Sequence, residues 1–316
     1  MNNVIEKVGV VGAGTMGHGI AMEMALNGVP TILYDISEEA LQEARKKVDR
    51  NITLFKEENY EFTVRLDDID SYLQYSSSIH SLADVDFVTE TASENLDVKH
   101  AIFEQLDKVC KSDAILASNT SSLSLSEVFS PVKNHRQQSV LTHWFNPPHL
   151  VPLVEILRSE ATTDECYIDV KEFLESMGKV TIEVKKETPG LVANRIQAAM
   201  AREVLTLLEE GIADAKDLDK AITSGPGFRL STSGLLEIID FGGIEVWAKV
   251  IEELQPVIAS GTKEFETTRR KVAEGNLGVK TGKGFFEYPG KSFDSYLLER
   301  DRTLLQHLKN IKKIEK

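Results

Sequence analysis

Three polar clusters carry side chains able to move a proton or hold a reacting oxygen. Ser118-Asn119-Thr120-Ser121-Ser122 follows one apolar run, Thr142-His143-Trp144-Phe145-Asn146-Pro147-Pro148 follows the next, and Leu153-Val154-Glu155 lies a short hairpin beyond. His143 is a candidate general base, because imidazole titrates near neutral pH. Glu155 could accept from its other ring nitrogen, fixing the tautomer and stabilising the imidazolium. The spacing leaves other readings open: a core histidine bonded to backbone, a glutamate paired with a surface lysine. Ser121 and Asn194 read equally as helix caps. His80, His100, His135 and His307 lie in polar, loop or helix-face surroundings.

The first glycine cluster, Val8-Gly9-Val10-Val11-Gly12-Ala13-Gly14-Thr15-Met16-Gly17, has the order strand, tight turn, helix. Gly12 allows the chain to reverse, Gly14 leaves room for a pyrophosphate against bare backbone, and Gly17 permits close helix–strand packing. The helix start would supply unpaired N–H groups and positive dipole to the phosphates. A second β-branched run, Thr31-Ile32-Leu33-Tyr34, ends in Asp35, where a carboxylate would accept from the adenosine ribose hydroxyls and repel a 2′-phosphate. NAD is therefore favoured over NADP. Asp35 could instead cap the helix that follows.

These residues need a sheet to position them. Strand and helix patterns alternate through the first part of the chain, implying a doubly wound, Rossmann-type, largely parallel sheet with helices on both faces. A long charged helix pattern from Ser37 to about Glu58 predicts a projecting arm, with the polar stretch Asn59 to Ser78 bringing the chain back. Past Glu187-Thr188-Pro189-Gly190 the strands stop. Helix patterns follow over Leu191 to Glu209, from Asp214 and Asp217, over Ser231 to Asp240 and over Glu245 to Ala259. The reading is an α/β domain over 1–187 with its arm at about 37–78, then an all-α domain over 188–316 with a charged terminal helix from Ser292.

The net charge of −14 argues against nucleic acid or an anionic membrane surface as partner. Two distant cysteines, Cys110 and Cys166, suggest neither a disulfide framework nor a metal site. No leader pattern and no run approaching the ~18 apolar residues of a membrane span is evident, so a cytoplasmic location is expected.

The motifs, in order, resemble the L-3-hydroxyacyl-CoA dehydrogenase superfamily, 3-hydroxybutyryl-CoA dehydrogenases included. They are Gly-Ala-Gly-Thr-Met-Gly, Glu94-Asn95, Ala117-Ser118-Asn119-Thr120-Ser121-Ser122-Leu123, His143-Trp144-Phe145-Asn146-Pro147, Leu153-Val154-Glu155, Thr188-Pro189-Gly190 with Asn194-Arg195, and Lys280-Thr281-Gly282-Lys283-Gly284-Phe285. The resemblance implies an NAD-dependent oxidoreductase of fatty acid metabolism that interconverts a 3-hydroxyl and a 3-oxo group on a short-chain acyl-CoA. His143 would be the acid/base and Glu155 its partner, with Ser121 and Asn194 bonding the reacting oxygen or neighbouring carbonyl. Gly12, Gly14, Thr15, Met16, Gly17, Asp35, Glu94, Lys99, Asn146 and Lys280 would contact the dinucleotide. It also implies a homodimer through the helical domain and an active site between the domains. Two departures bear on substrate. Lys56-Glu57-Glu58 puts acid on the arm where a phosphate-facing lysine is expected, and Gly227-Phe228-Arg229-Leu230-Ser231-Thr232 is more polar than the acyl-CoA pattern. Arg229 could pair the carboxylate of a free 3-hydroxy acid, of carnitine or gulonate type, or form a domain-interface salt bridge. A non-catalytic, crystallin-like protein is the remaining alternative, opposed by the intact Ser121, His143, Glu155 and Asn194 set.

Overall fold

The computed structural model describes residues 4–261 and 264–314. Its chain divides into two compact units, one formed by Met1–Val192 with Asp301–Leu308 and the other by Ala193–Arg300 with Lys309–Lys316.

The first unit is built on strands β1 (Val8–Val11), β2 (Thr31–Tyr34), β3 (Leu73–Ser76), β4 (Phe87–Glu90), β5 (Ile115–Ser118), β6 (Ser139–Trp144), β7 (Leu153–Arg158) and β8 (Val180–Val184). They form one sheet in the order β3-β2-β1-β4-β5-β6-β7-β8, parallel throughout except where β7 runs antiparallel to β6. The central strands are buried on both faces, which is why they read as unbroken apolar runs. Helices α1 (Gly17–Leu26), α2 (Glu38–Glu57), α3 (Leu96–Val109), α4 (Leu125–Val128) and α5 (Asp164–Ser176) flank it. Side chains of Ser37, Asn95 and Thr163 accept from the first turns of α2, α3 and α5, so sequence-local caps fix where these helices begin.

The arm differs from the projecting element expected. α2 lies along α1, burying Leu41, Ala44, Val48, Ile52 and Phe55, the residues whose spacing announced the helix. Its far end is held by the rings of Tyr60, Phe62 and His149 around Phe55. The return stretch is not merely polar loop: it supplies β3, which pairs parallel with β2 at the sheet edge.

The second unit contains α6 (Ala193–Glu209), α7 (Ala215–Ser224), α8 (Pro226–Leu230), α9 (Leu235–Gly242), α10 (Ile244–Leu254), α11 (Glu266–Ala273) and the ends of α12 (Phe293–Ile314). Within the pattern over Ser231 to Asp240 the helix is α9, which starts only at Leu235, while α8 just before it and α11 are elements the periodicity did not reveal. Among its described residues Leu218 is the one apolar side chain buried below a tenth of its surface.

Candidate active site

The antiparallel step between β6 and β7 places His143 directly opposite Glu155, so their side chains share one face of the sheet. His143 Nδ1 lies 2.7 Å from Glu155 Oε2, with the histidine 5% and the glutamate 0% exposed. Glu155 can only accept when ionised, so Nδ1 carries the proton and Nε2 is left with its lone pair. Nε2 has no hydrogen-bond partner among the described residues. Glu155 Oε1 accepts from the backbone N–H of Val192 at 3.0 Å. The ring of Phe145 meets the His143 ring edge-on, centroids 4.6 Å apart. Asn119 Oδ1 accepts from Trp144 N at 2.8 Å and so ties the end of β5 to the end of β6.

Ser121 sits on the loop after β5. One oxygen of Glu94 gathers that loop, accepting from the backbone N–H groups of Ser121 and Ser122 at 3.1 Å and from the hydroxyls of Thr120 and Ser122. Partial burial pushes the Glu94 carboxyl up, but these hydrogen bonds and the Lys99 charge outweigh it and hold it below the usual range. Lys99, 1% exposed, commits its ammonium to both oxygens of Glu90 at 2.8 and 2.9 Å and lies 3.5 Å from Glu94 Oε2. Buried in this way, Lys99 bears on a cofactor through the carboxylates it holds rather than by reaching out itself. Glu90, which sequence reasoning did not single out, also accepts from Ser118 Oγ and Ala92 N. Its signal was a lone carboxylate closing an apolar strand.

The glycine turn follows β1 at the crevice between β1 and β4, where the strand order reverses. Gly12 has φ +99°, and a Cβ on Gly17 would stand 1.8 Å from the Gly12 carbonyl oxygen. Thr91 Oγ1 donates to the carbonyls of Val11 and Gly12 at 3.0 Å, pinning the turn from β4. A Cβ on Gly14 would meet nothing within 4 Å, so open space lies over this part of the turn. Exposed Gly14 and Thr15, half-buried Met16 and the start of α1 thus form a cradle suited to a pyrophosphate. Asp35, at the end of β2, accepts from Ala13 N at 2.8 Å through one oxygen and from Ser37 N at 2.9 Å through the other. Its capping role is therefore real, and a half-exposed carboxylate with further lone pairs still faces the turn. The residues present fit a dinucleotide.

Asn146 is exposed just past β6, joined to Pro147 by a cis peptide bond. Asn194, at the start of α6, and exposed Lys280, on the 3-10 turn Val279–Thr281, belong to the second unit. No group of three or more candidate ligands that could hold a metal occurs among the described residues, and none of their helices is long and apolar enough to cross a membrane.

Residues 7–188 match the family described as 3-hydroxyacyl-CoA dehydrogenase, NAD binding domain, and residues 190–288 match its C-terminal domain. The chain is 27% identical to 5-formyl-3-hydroxy-2-methylpyridine 4-carboxylate 5-dehydrogenase of Mesorhizobium japonicum, over 96% of this chain and 97% of the relative. A crystal structure of a dehydrogenase of that same description, called an NAD+ dependent dismutase, superposes with TM-score 0.90 at 26% identity, over 98% of this chain and 99% of the other. The (S)-3-hydroxybutyryl-CoA dehydrogenase of Ralstonia eutropha superposes with TM-score 0.73 at 32% identity, over 90% of this chain and all of the other.

His18, on the first turn of α1, completes the cradle. Its Nδ1 lies 2.8 Å from the Gly14 carbonyl oxygen. Burial lowers its pKa to about 4; the Gly14 bond opposes this, and the charges of Lys47 and Arg50 add to it. The ring is therefore neutral at physiological pH and donates to Gly14. The unfolded chain binds this proton near the ordinary value of 6.5 and the folded chain only near 4. The resulting stability is fully present above about pH 6.5 and is lost as pH falls towards 4, a change of about 3 kcal/mol. Urea unfolding of the wild type and His18→Asn should diverge by that amount across this window. Curves that stay parallel would show that His18 titrates normally.

Proposed function

The chain belongs to the 3-hydroxyacyl-CoA dehydrogenase family, and from that premise we propose that it oxidises, and in reverse reduces, a free hydroxy acid rather than its CoA thioester. The observation that carries the substrate reading is the charge of the arm. Over residues 37–71 ten acidic side chains stand against six basic ones. Arg45 lies 3.2 Å from Asp70, Lys46 2.5 Å from Glu43, and Lys56 pairs with Asp67. The phosphates of CoA would meet a surface on which these three cations already have carboxylates beside them. The likeness to the pyridine carboxylate dehydrogenase along nearly the whole of both chains supports the same reading. A CoA thioester is the second reading, favoured by relatives such as the probable 3-hydroxybutyryl-CoA dehydrogenase of Bacillus subtilis, 32% identical.

A carboxylate-bearing substrate needs a cation of its own. Arg229 is exposed and has no ion-pair partner among the described residues. It opens on a hollow of about 370 Å³ with Thr232, Ser233, Phe241 and Trp247, two hydroxyls and two aromatic walls. A guanidinium there would grip a carboxylate bidentately.

NAD, when bound, supplies the hydride acceptor. The proton side belongs to the chain: His143 Nε2 takes the hydroxyl proton, and the imidazolium is stabilised by Glu155 across the 2.7 Å contact. In the reverse direction the same proton returns to the alkoxide oxygen. Ser121 and Asn194 would donate to that oxygen or to the neighbouring carboxyl, holding the carbinol carbon in place.

The helical unit is proposed to complete itself with a second copy of the chain. Phe228, Leu236, Phe241 and Val257 are each at least 75% exposed, in a unit with a single well-buried apolar side chain among its described residues. Faces this apolar, on helices too short to stand alone, need a partner.

His143→Gln should lower turnover by on the order of 10²–10⁴ with little change in NAD affinity; full activity would remove His143 as the base. NADH loss should be faster with free 3-oxo acids, such as acetoacetate or dehydrocarnitine, than with acetoacetyl-CoA, and turnover confined to the thioester would reverse the substrate reading. Arg229→Met should raise KM for the free acid about ten- to a hundredfold, the scale of a charge-assisted bond. In sedimentation the protein should run at about twice the 35.2 kDa chain mass, and a monomer at working concentration would contradict the dimer.

A further inference from the structure

Gly190 and Leu191 are consecutive residues with positive φ, +78° and +50°. The glycine is accounted for by the turn Thr188-Pro189-Gly190-Leu191. Proline stands second, glycine third, and Leu191 N donates to Thr188 O at 2.9 Å, the pattern of a type II turn. The leucine is not so explained. Left-handed backbone is routine for glycine and tolerated by asparagine, but crowds the Cβ of other residues. Such strain persists only where the surroundings impose it, and it gathers at functional sites.

Two observations show what imposes it. The Leu191 side chain is 4% exposed and belongs to the core cluster that includes Leu141, Leu157 and Val184. The next backbone N–H, that of Val192, donates to Glu155 Oε1 at 3.0 Å, while Glu155 Oε2 takes His143 Nδ1 at 2.7 Å. Leu141 and Leu157 are cross-strand partners two residues from His143 and Glu155, on the same face of β6 and β7. The core that seats the leucine is therefore the floor beneath the catalytic pair.

We propose that Leu191 is a positioning residue for Glu155. Its left-handed conformation turns the following peptide so that the Val192 N–H meets the carboxylate, and a residue that adopts that conformation unaided does not need the buried side chain to impose it. With an ordinary negative φ at 191 that peptide plane rotates, the N–H leaves Oε1, and Glu155 loses a bond that helps fix the orientation from which it holds the imidazole. The inference rests on the acid–base reading of His143 and Glu155 given above.

Packing and positioning predict opposite orders among substitutions. Leu191→Ile keeps volume and burial, a swap cores usually tolerate, but a β-branched side chain opposes the left-handed backbone. Leu191→Gly and Leu191→Asn accept that backbone and lose the packing. With the hydroxy acid on which the wild type turns over, Leu191→Ile should lower kcat by about ten- to a hundredfold, with KM for NAD unchanged. Leu191→Asn and Leu191→Gly should stay within about threefold of wild type, although they melt at lower temperature than Leu191→Ile. Amide exchange of the wild type should show Val192 protected. The reverse order of kcat, equal kcat in all three variants, or a freely exchanging Val192 amide would overturn the proposal. If His143→Gln is fully active the acid–base reading itself fails; if it is inactive while the Leu191 variants are alike, only the role of Leu191 does.

Discussion

The site depends on one buried contact, the bond from His143 Nδ1 to Glu155 Oε2, in which both groups are almost wholly removed from water. An isolated carboxylate in such surroundings would cost several kcal/mol in lost hydration, so the arrangement holds only if donors meet it from more than one side. The imidazole supplies one and the Val192 backbone another. The contact also dictates topology: it requires residues on neighbouring strands to be directly opposite, which the antiparallel β6–β7 pairing provides and a parallel crossover does not provide in so short a length of chain. The single reversal of direction between neighbouring strands of this sheet is thus what brings His143 and Glu155 together.

A second buried charge system carries the other half of the site. Lys99 and Glu90 neutralise each other at the end of β4, and the same carboxylate accepts from Ser118 on β5 and from Ala92 in the next turn. Through Glu94 the network reaches the Ser121 loop, and through Thr91 the same segment holds the glycine turn. The glycine turn and the Ser121 loop therefore share a foundation. Removing either member of the Lys99–Glu90 pair would strand the other, so disturbance there would reach both sites at once.

Much of this was legible from residue types. Buried strands announce themselves as apolar runs, helix starts by their Ser, Asn and Thr caps, and the glycine turn by spacing that only a close phosphate and a close helix explain. His143 and Glu155 stood out because ligands of such sheets bind past strand ends, while spacing alone left a core histidine and a surface ion pair equally open. What escaped had physical causes. β3 is short and half-polar because it forms the sheet edge, so its pattern resembles loop. Lys99 reads as surface because lysine is rarely buried, and its partners lie on other elements. The N–H of Val192 and the backbone sign at Leu191 have no letter in the sequence. α8 and α11 escaped because short helices in a unit with so little buried apolar surface give periodicity little contrast.

Charge then separates reaction from substrate. On the reading proposed above, His143, Glu155 and the glycine turn serve the chemistry. On that reading selectivity falls to the surfaces beyond them: the arm carries more acid than base, with Arg45, Lys46 and Lys56 beside carboxylates, while Arg229 stands beside two hydroxyls and two aromatic rings with no carboxylate opposite it among the described residues. On a chain of net charge −14 the long-range field repels anions, so a local cation is needed to hold one. A ligand with one carboxylate matches that distribution, whereas one bearing several phosphates would meet the acidic excess carried by residues 57–71.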